Sequence, residues 1–115
     1  MNVFIKQFCK SFIKLCLDSK LSSEITLQPI KRFDLDSAII FSDILLTPHA
    51  LGQKVEFTKN LGPKIDNFNL EKFFDVSESE FTKELDSVYK AIEITKSNLS
   101  REKSLIGFIG APWTL

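Results

Sequence analysis

Asp43 is the residue of this chain whose type and position most clearly indicate chemistry. It interrupts an apolar, β-branched run, with apolar residues at positions 38–41 and 44–46. Such a run is typical of a strand that is buried on both faces. An ionised carboxylate buried there without partners would be costly or would have a raised pKa. We therefore expect hydrogen-bond donors, a metal or a ligand to satisfy Asp43.

The position of Asp43 within this run also favours a functional role. Strand alternation directs Ile39, Phe41, Asp43 and Leu45 to the same side. The acid lies near the carboxyl end of a predicted strand over residues 37–46, which Pro48 follows. That end of a strand is where α/β barrels and open α/β sheets place their active sites.

The elements around this strand give an α/β order. Hydrophobic periodicity predicts helices over residues 2–17, 20–33 and 78–98, and a second buried strand over residues 104–109. Asp18 and Ser19 are candidate N-caps for the second helix, and Pro29 is expected to kink or end it. Ser77 to Glu80 fits a capping box that begins the third helix. The order predicts parallel strands joined by a crossover helix, after two N-terminal helices.

Two shorter features are predicted between the first strand and the third helix. Val55 and Phe57 alternate with polar residues ahead of a turn signal at 60–63, which predicts a short hairpin-like excursion. One turn of helix is predicted around 70–74.

Composition excludes several classes of protein. Fifteen basic and fifteen acidic residues cancel without a block of like charge, so no nucleic-acid surface is indicated. Lys6, Lys10 and Lys14 interrupt the apolar N-terminal run, which favours an amphipathic helix over a signal peptide or membrane anchor. Cys9 and Cys16 lack partners for a metal tetrad and are expected to be reduced thiols. We expect a cytoplasmic protein of about one domain.

Two segments carry a resemblance to a known family. The stretch from Thr26 to Phe57 contains FSDIL, and the stretch from Leu105 to Leu115 contains GAPWTL. Both segments, in this order and with Leu61-Gly62-Pro63 between them, resemble uroporphyrinogen decarboxylase. The resemblance extends from about Ser11 to the last residue.

The resemblance implies the fold and the activity of the family. The chain would be an incomplete portion of a (β/α)8 TIM barrel, covering its N-terminal third. The family is cofactor-free, cytoplasmic in bacteria and commonly homodimeric. Its enzymes remove the acetate carboxylates of uroporphyrinogen III to give coproporphyrinogen III for haem and porphyrin biosynthesis. Neither a nucleic acid nor a membrane is an expected partner.

The resemblance also implies a role for Asp43, the aspartate of FSDIL. In the family this carboxylate accepts hydrogen bonds from the pyrrole N–H groups and stabilises the positive charge that forms when a pyrrole carbon is protonated. Asp43 is thus the candidate catalytic and substrate-binding residue. Ile39, Phe41, Leu45 and Phe108 are candidate apolar walls for the macrocycle, with packing in a barrel interior as the alternative role for each.

The sequence departs from the family pattern in its basic residues. An arginine-rich segment of the form MRQAGRY is absent, and Arg32 and Arg101 are the only arginines. The family's tyrosine, serine and C-terminal histidine are not reached. Tyr89, within the third helix, and His49, in a predicted loop, are not expected to replace them.

These departures leave three functional hypotheses. The first is a decarboxylase fragment that is inactive alone, because a barrel of this type needs about 200 residues or more. The second is a non-catalytic interaction module, or a barrel fragment that needs a complementary chain. The third is a relative that acts in corrinoid-dependent methyl transfer, which would need zinc-binding His or Cys residues further along the chain; the intact FSDIL and GAPWTL segments favour the porphyrin branch.

Overall fold

The chain consists of two units. The computed structural model describes residues 12–58, 62–65, 69–111 and 113. The first unit comprises Met1–Asp43 and Ser87–Ile109, and the second comprises Ile44–Asp86 and Gly110–Leu115. Asp43 therefore belongs to the first unit and Leu45 to the second.

Helices and short strands follow one another along the described residues. In chain order they are α1 Phe12–Cys16, α2 Ser19–Phe33, β1 Ser37–Ile39, α3 Leu46–Ala50, β2 Val55–Thr58, β3 Gly62–Ile65, α4 Leu70–Asp75, α5 Glu78–Glu84, α6 Asp86–Asn98 and β4 Ser104–Ile106. Of the first predicted helix, residues 12–16 are helical, and residues 2–11 lie outside the described part. No helix in the described ranges is both long and apolar enough to cross a membrane.

Helix α2 confirms the predicted second helix and its cap. The Asp18 carboxylate accepts hydrogen bonds from the backbone N–H groups of Lys20 and Leu21 at 3.1 and 3.0 Å. Of the two effects predicted for Pro29, a kink or an end of the helix, the second is wrong, because α2 continues to Phe33. Pro29 is exposed, so water can solvate the carbonyl that its missing N–H leaves unpaired.

The sheet of the first unit pairs β1 with β4 in parallel, as predicted. Ser37 is in register with Ser104, Ala38 with Leu105, and Ile39 with Ile106. Both strands are shorter than predicted: β1 ends at Ile39 instead of 46, and β4 ends at Ile106 instead of 109. The last bond of the ladder joins the Ile40 N–H to the Ile106 carbonyl at 3.0 Å.

The core of the first unit lies between its helices and one face of this sheet. Ala38 and Ile40 are buried, whereas Ile39 is 61% exposed. The helices contribute buried side chains from each of their inner faces: Ile13, Cys16, Leu27, Ile30, Ala91 and Thr95. The two strands therefore follow the alternation expected of a sheet that is covered on one side.

An ion pair joins the end of α2 to the start of β4. Asp34 ends α2 in the left-handed conformation, with φ 50°, and its backbone N–H donates to the Ile30 carbonyl. The Lys103 ammonium donates to the Asp34 carboxylate at 2.7 Å and to the Leu35 carbonyl at 2.8 Å. The hydrogen bond from Lys103, and then its charge, lower the pKa of Asp34.

Asp34→Asn is expected to cause a small loss of stability at neutral pH. Asparagine tolerates the left-handed cap, so the substitution mainly removes the charge. A lowered pKa means that the ion pair stabilises the folded chain above the unfolded pKa of an aspartate, and that this contribution disappears as the pH falls through the folded value. Urea unfolding as a function of pH should therefore show the two proteins converging in acid. An equal loss from Asp36→Asn, at an exposed neighbouring carboxylate, would contradict this account.

The second unit contains the predicted hairpin and short helices. Strands β2 and β3 pair antiparallel, with Val55 opposite Ile65 and Thr58 opposite Gly62. The predicted turn of helix is α4. The capping box at α5 is also confirmed, since the Glu80 N–H donates to the Ser77 hydroxyl and the Ser77 N–H donates to the Glu80 carboxylate.

The predicted helix over residues 78–98 is two helices. Helix α5 ends at Glu84, and Leu85 has φ −94° and ψ 2°, which departs from helical geometry. Asp86 then begins α6, where its carboxylate interacts favourably with the positive end of the helix dipole. A continuous apolar stripe predicts one helix here, but the local N-terminal signal at Asp86 divides it.

Candidate active site

Asp43 lies in the loop that follows β1, four residues after the end of the strand at Ile39. Its side chain is half-buried. The prediction that Asp43 lies within a strand is thus wrong, although its place beyond the carboxyl end of β1 agrees with the predicted site. Strand β1 and its partner β4 end at the same level, where Ile39 is in register with Ile106.

Side chains of helix α2 hydrogen-bond to the backbone of this loop just beyond the end of the sheet. The Ser22 hydroxyl donates to the Phe41 carbonyl at 2.6 Å, and the Phe41 N–H donates to the Thr26 hydroxyl at 2.8 Å. Both hydroxyl side chains are buried, with 1% and 4% of Ser22 and Thr26 exposed. Ser42 and Asp43 therefore follow a peptide whose orientation these two hydrogen bonds fix.

The four predicted apolar walls differ in burial and in the unit to which they belong. The Phe41 ring packs edge to face against Phe12 of α1, with 5.8 Å between the ring centroids. Ile39 is 61% and Phe108 49% exposed, while Leu45 is half-buried and belongs to the second unit. Because β1 ends early, the alternation expected of one continuous strand does not hold beyond Ile40. The roles of these four side chains remain predictions.

A buried thiol lies near Asp43. Cys16, in α1, is 1% exposed and carries no disulfide. Burial, and then the neighbouring Asp43 carboxylate, raise its pKa from 9.0 to about 12. The thiol is thus neutral at physiological pH, which agrees with the expected reduced core cysteine. Cys9 lies outside the described residues.

Two residues that we did not expect to act both lie on helices. His49 is part of α3, so its prediction as a loop residue is wrong, and Tyr89 is on α6 and 44% exposed. The Arg32 guanidinium stacks over the Phe33 ring at 5.3 Å.

An open groove of about 600 Å³ lies on the first unit. Its lining includes Ile40, Ile92 and Leu105, together with the cationic side chains of Lys96 and Arg101. None of the five candidate site residues lines this groove. Within the described part of the chain, no group of three His, Cys, Asp or Glu residues is arranged to hold a metal ion.

The sequence predicted a role for Asp43 but none for Ser22 and Thr26. A signal for them exists, since the two hydroxyl residues are four apart on the face of α2 that also carries the buried Leu27 and Ile30. Polar side chains on a buried helix face need hydrogen-bond partners, and such partners often lie on a neighbouring element.

Comparison with known proteins identifies close relatives. A family model described as Uroporphyrinogen decarboxylase (URO-D) matches residues 4–115. Proteins named uroporphyrinogen decarboxylase from Rickettsia canadensis, Rickettsia bellii and Rickettsia felis are 45%, 42% and 44% identical to the chain over 111 residues. The match covers 96% of this chain and 32–33% of these relatives. The chain therefore spans about a third of the length of the curated relatives that it matches.

Proposed function

The chain belongs to the uroporphyrinogen decarboxylase family, and from this membership we propose that it forms about one third of an enzyme that converts uroporphyrinogen III to coproporphyrinogen III. The curated relatives are named decarboxylases, which places the family among the carboxy-lyases. The proposal includes the family's cytoplasmic, homodimeric and cofactor-free character. It also includes the absence of activity from this chain alone, because the family's barrel needs further strands.

The position of Asp43 is the observation that carries this proposal. The residue is half-buried, lies just beyond the carboxyl end of β1, and follows a peptide that two buried hydroxyls hold. A fixed, partly desolvated carboxylate stabilises a cation more strongly than a solvated one, because water screens its charge less. Asp43 has the charge and the place that the reaction needs.

The chemistry assigned to Asp43 is electrostatic. Loss of CO2 from an acetate arm leaves an electron pair that the pyrrole must accept, and protonation of a pyrrole carbon makes the ring a sufficient acceptor. The Asp43 carboxylate accepts hydrogen bonds from pyrrole N–H groups and stabilises the protonated ring. As the C–C bond breaks, its electron pair neutralises the ring. A proton added to the arm then gives the methyl group, and loss of the first proton from the pyrrole carbon restores the neutral aromatic ring.

A chimera tests the proposed function. Residues 4–115 would replace the matched third of the Rickettsia canadensis protein, and the chimera would be incubated with uroporphyrinogen III without oxygen. We expect chromatography of the oxidised products to show coproporphyrin from the chimera, and none above a blank from the separate chain. A folded chimera that yields no product would overturn the proposal.

A second candidate function is that of an interaction module that binds a complementary barrel fragment. Exposed apolar side chains at the sheet favour it: Ile39, Ile106, Phe108 and Ile109 are between 45% and 80% exposed. Mixing the chain with the remaining two-thirds of the relative, as separate polypeptides, separates the two functions. Co-elution from a sizing column without product would favour the module, and co-elution with product would favour the enzyme.

A further inference from the structure

Two buried hydroxyls of α2 satisfy both backbone groups of one residue in the loop after β1. Thr26 accepts the Phe41 N–H at 2.8 Å, and Ser22 donates to the Phe41 carbonyl at 2.6 Å. Thr26 also donates to the Ser22 carbonyl at 2.8 Å, which links the two side chains through their own helix. We refer to Ser22 and Thr26 as the hydroxyl clamp.

The clamp supplies hydrogen bonds to the backbone just beyond the last hydrogen bond of the sheet. The last ladder bond is that of the Ile40 N–H, so Phe41 is the first residue beyond the support of β4. A buried N–H or carbonyl without a partner is costly, and the clamp replaces the missing strand as that partner. The orientation of the Phe41 peptide sets the direction in which Ser42 and Asp43 leave the sheet.

We propose that Ser22 and Thr26 are positioning residues for Asp43, which direct its carboxylate by fixing the Phe41 peptide. This inference rests on the proposed function and adds to it the residues that aim the charged group. Neither side chain touches the reacting atoms in this account. Their effect passes through the two peptide bonds that join Phe41 to Asp43.

Two other hydroxyls provide matched controls within the same fold. The Thr95 hydroxyl, 0% exposed, donates to the carbonyl of Ala91 in its own helix at 2.7 Å. The Ser23 hydroxyl, 4% exposed, donates to the Lys20 carbonyl at 3.0 Å. Thr95→Val and Ser23→Ala remove a buried hydroxyl of the same kind and spare Phe41.

Hydrogen exchange of the chain itself tests the clamp without any activity. Thr26→Val keeps the branched shape and removes the acceptor, so the Phe41 amide should exchange at least about tenfold faster than in the Thr95→Val control. The Ile40 amide, which bonds to Ile106, should keep its protection relative to the same control. Equal exchange of Phe41 in the two variants would overturn the clamp.

A second variant covers the case in which Thr26→Val does not fold. Ser22→Ala removes only the donor to the Phe41 carbonyl. That carbonyl shares its peptide group with the Ser42 amide nitrogen, so the hydrogen bond polarises this nitrogen as well. The amide nitrogen resonance of Ser42 should therefore move in Ser22→Ala and stay in place in Ser23→Ala. An unmoved Ser42 resonance would contradict the proposal.

Kinetics of the chimera test the link from the clamp to Asp43. A displaced carboxylate should lower kcat by roughly tenfold to a hundredfold and leave KM nearly unchanged, because the loss concerns alignment in the transition state. Thr26→Ser should restore kcat, since it keeps the acceptor. If Thr26→Val and Thr95→Val had the same kcat, the positioning role would be wrong. An inactive unsubstituted chimera would overturn the proposed function instead, and exchange at Phe41 would still decide whether the clamp exists.

Discussion

Asp43→Asn in the chimera is expected to lower kcat by about 10²- to 10³-fold while the chimera stays folded. Asparagine has nearly the same shape as aspartate but carries no charge. It can still accept one pyrrole N–H, so binding should suffer less than turnover. The stabilisation of a protonated pyrrole depends on the full negative charge, and this is what the substitution removes. Steady-state kinetics with uroporphyrinogen III give kcat and KM separately.

Asp36→Asn is the matched control for this substitution. Asp36 lies at the opposite end of β1 and is exposed, and the bond it makes in the ladder uses its backbone carbonyl. The control should keep kcat within about twofold of the unsubstituted chimera, as expected of a surface change away from the site. If Asp43→Asn were as active as Asp36→Asn, Asp43 would have a structural role or none.

The sequence correctly predicted that Asp43 lies near the carboxyl end of β1, but it wrongly placed the residue within the strand. An apolar run over positions 38–46 predicts a long strand, because hydrophobic pattern cannot distinguish a strand from a buried loop that enters a helix. The actual length of β1 is set by its partner: β4 offers its last carbonyl at Ile106, and no further ladder bond forms. Pairing of this kind is a long-range property that a local pattern does not contain.

Helix boundaries show the same distinction between local and distant causes. The cap at Asp18 and the capping box at Ser77 depend on residues within one turn, and both predictions were confirmed. Pro29 does not end α2, because packing of the neighbouring Leu27 and Ile30 stabilises a further turn. The division at Leu85 was missed because the stripe of apolar residues continues across it.

The hydroxyl clamp could be suspected from sequence but not assigned. Ser22 and Thr26 stand on the buried face of a predictable helix, which shows that they need partners. Their partner is a peptide 15 to 19 residues further along the chain, and only the packing of α2 on the β1 loop identifies it. The family resemblance indicates Asp43, and the structure shows which side chains hold the Phe41 peptide two residues before it.

The Cys16 thiol is expected to react with Ellman's reagent at least a thousandfold more slowly in the folded chain than in concentrated guanidinium chloride. A pKa raised from 9.0 to about 12 leaves roughly a thousandfold fewer thiolates at about pH 8, and burial adds to this protection. A Cys9→Ser background makes Cys16 the single thiol, so the absorbance change reports on it alone. Labelling within about tenfold of the unfolded rate would show that α1 does not cover this side of the core.

Asp43→Asn should speed the labelling of Cys16 in the folded chain, because the Asp43 carboxylate is one cause of the raised thiol pKa. Removing a neighbouring negative charge favours the thiolate, so the pKa of Cys16 falls and the reactive fraction rises. The upward shift of the Cys16 pKa also determines how stability depends on pH. It stabilises the folded chain below about pH 9, and this stabilisation is lost as the pH rises toward 12. Asp36→Asn should leave the labelling rate unchanged. Equal rates in the two variants would mean that the Asp43 carboxylate does not act on Cys16, and the half-buried position on which its proposed electrostatic role rests would lose support.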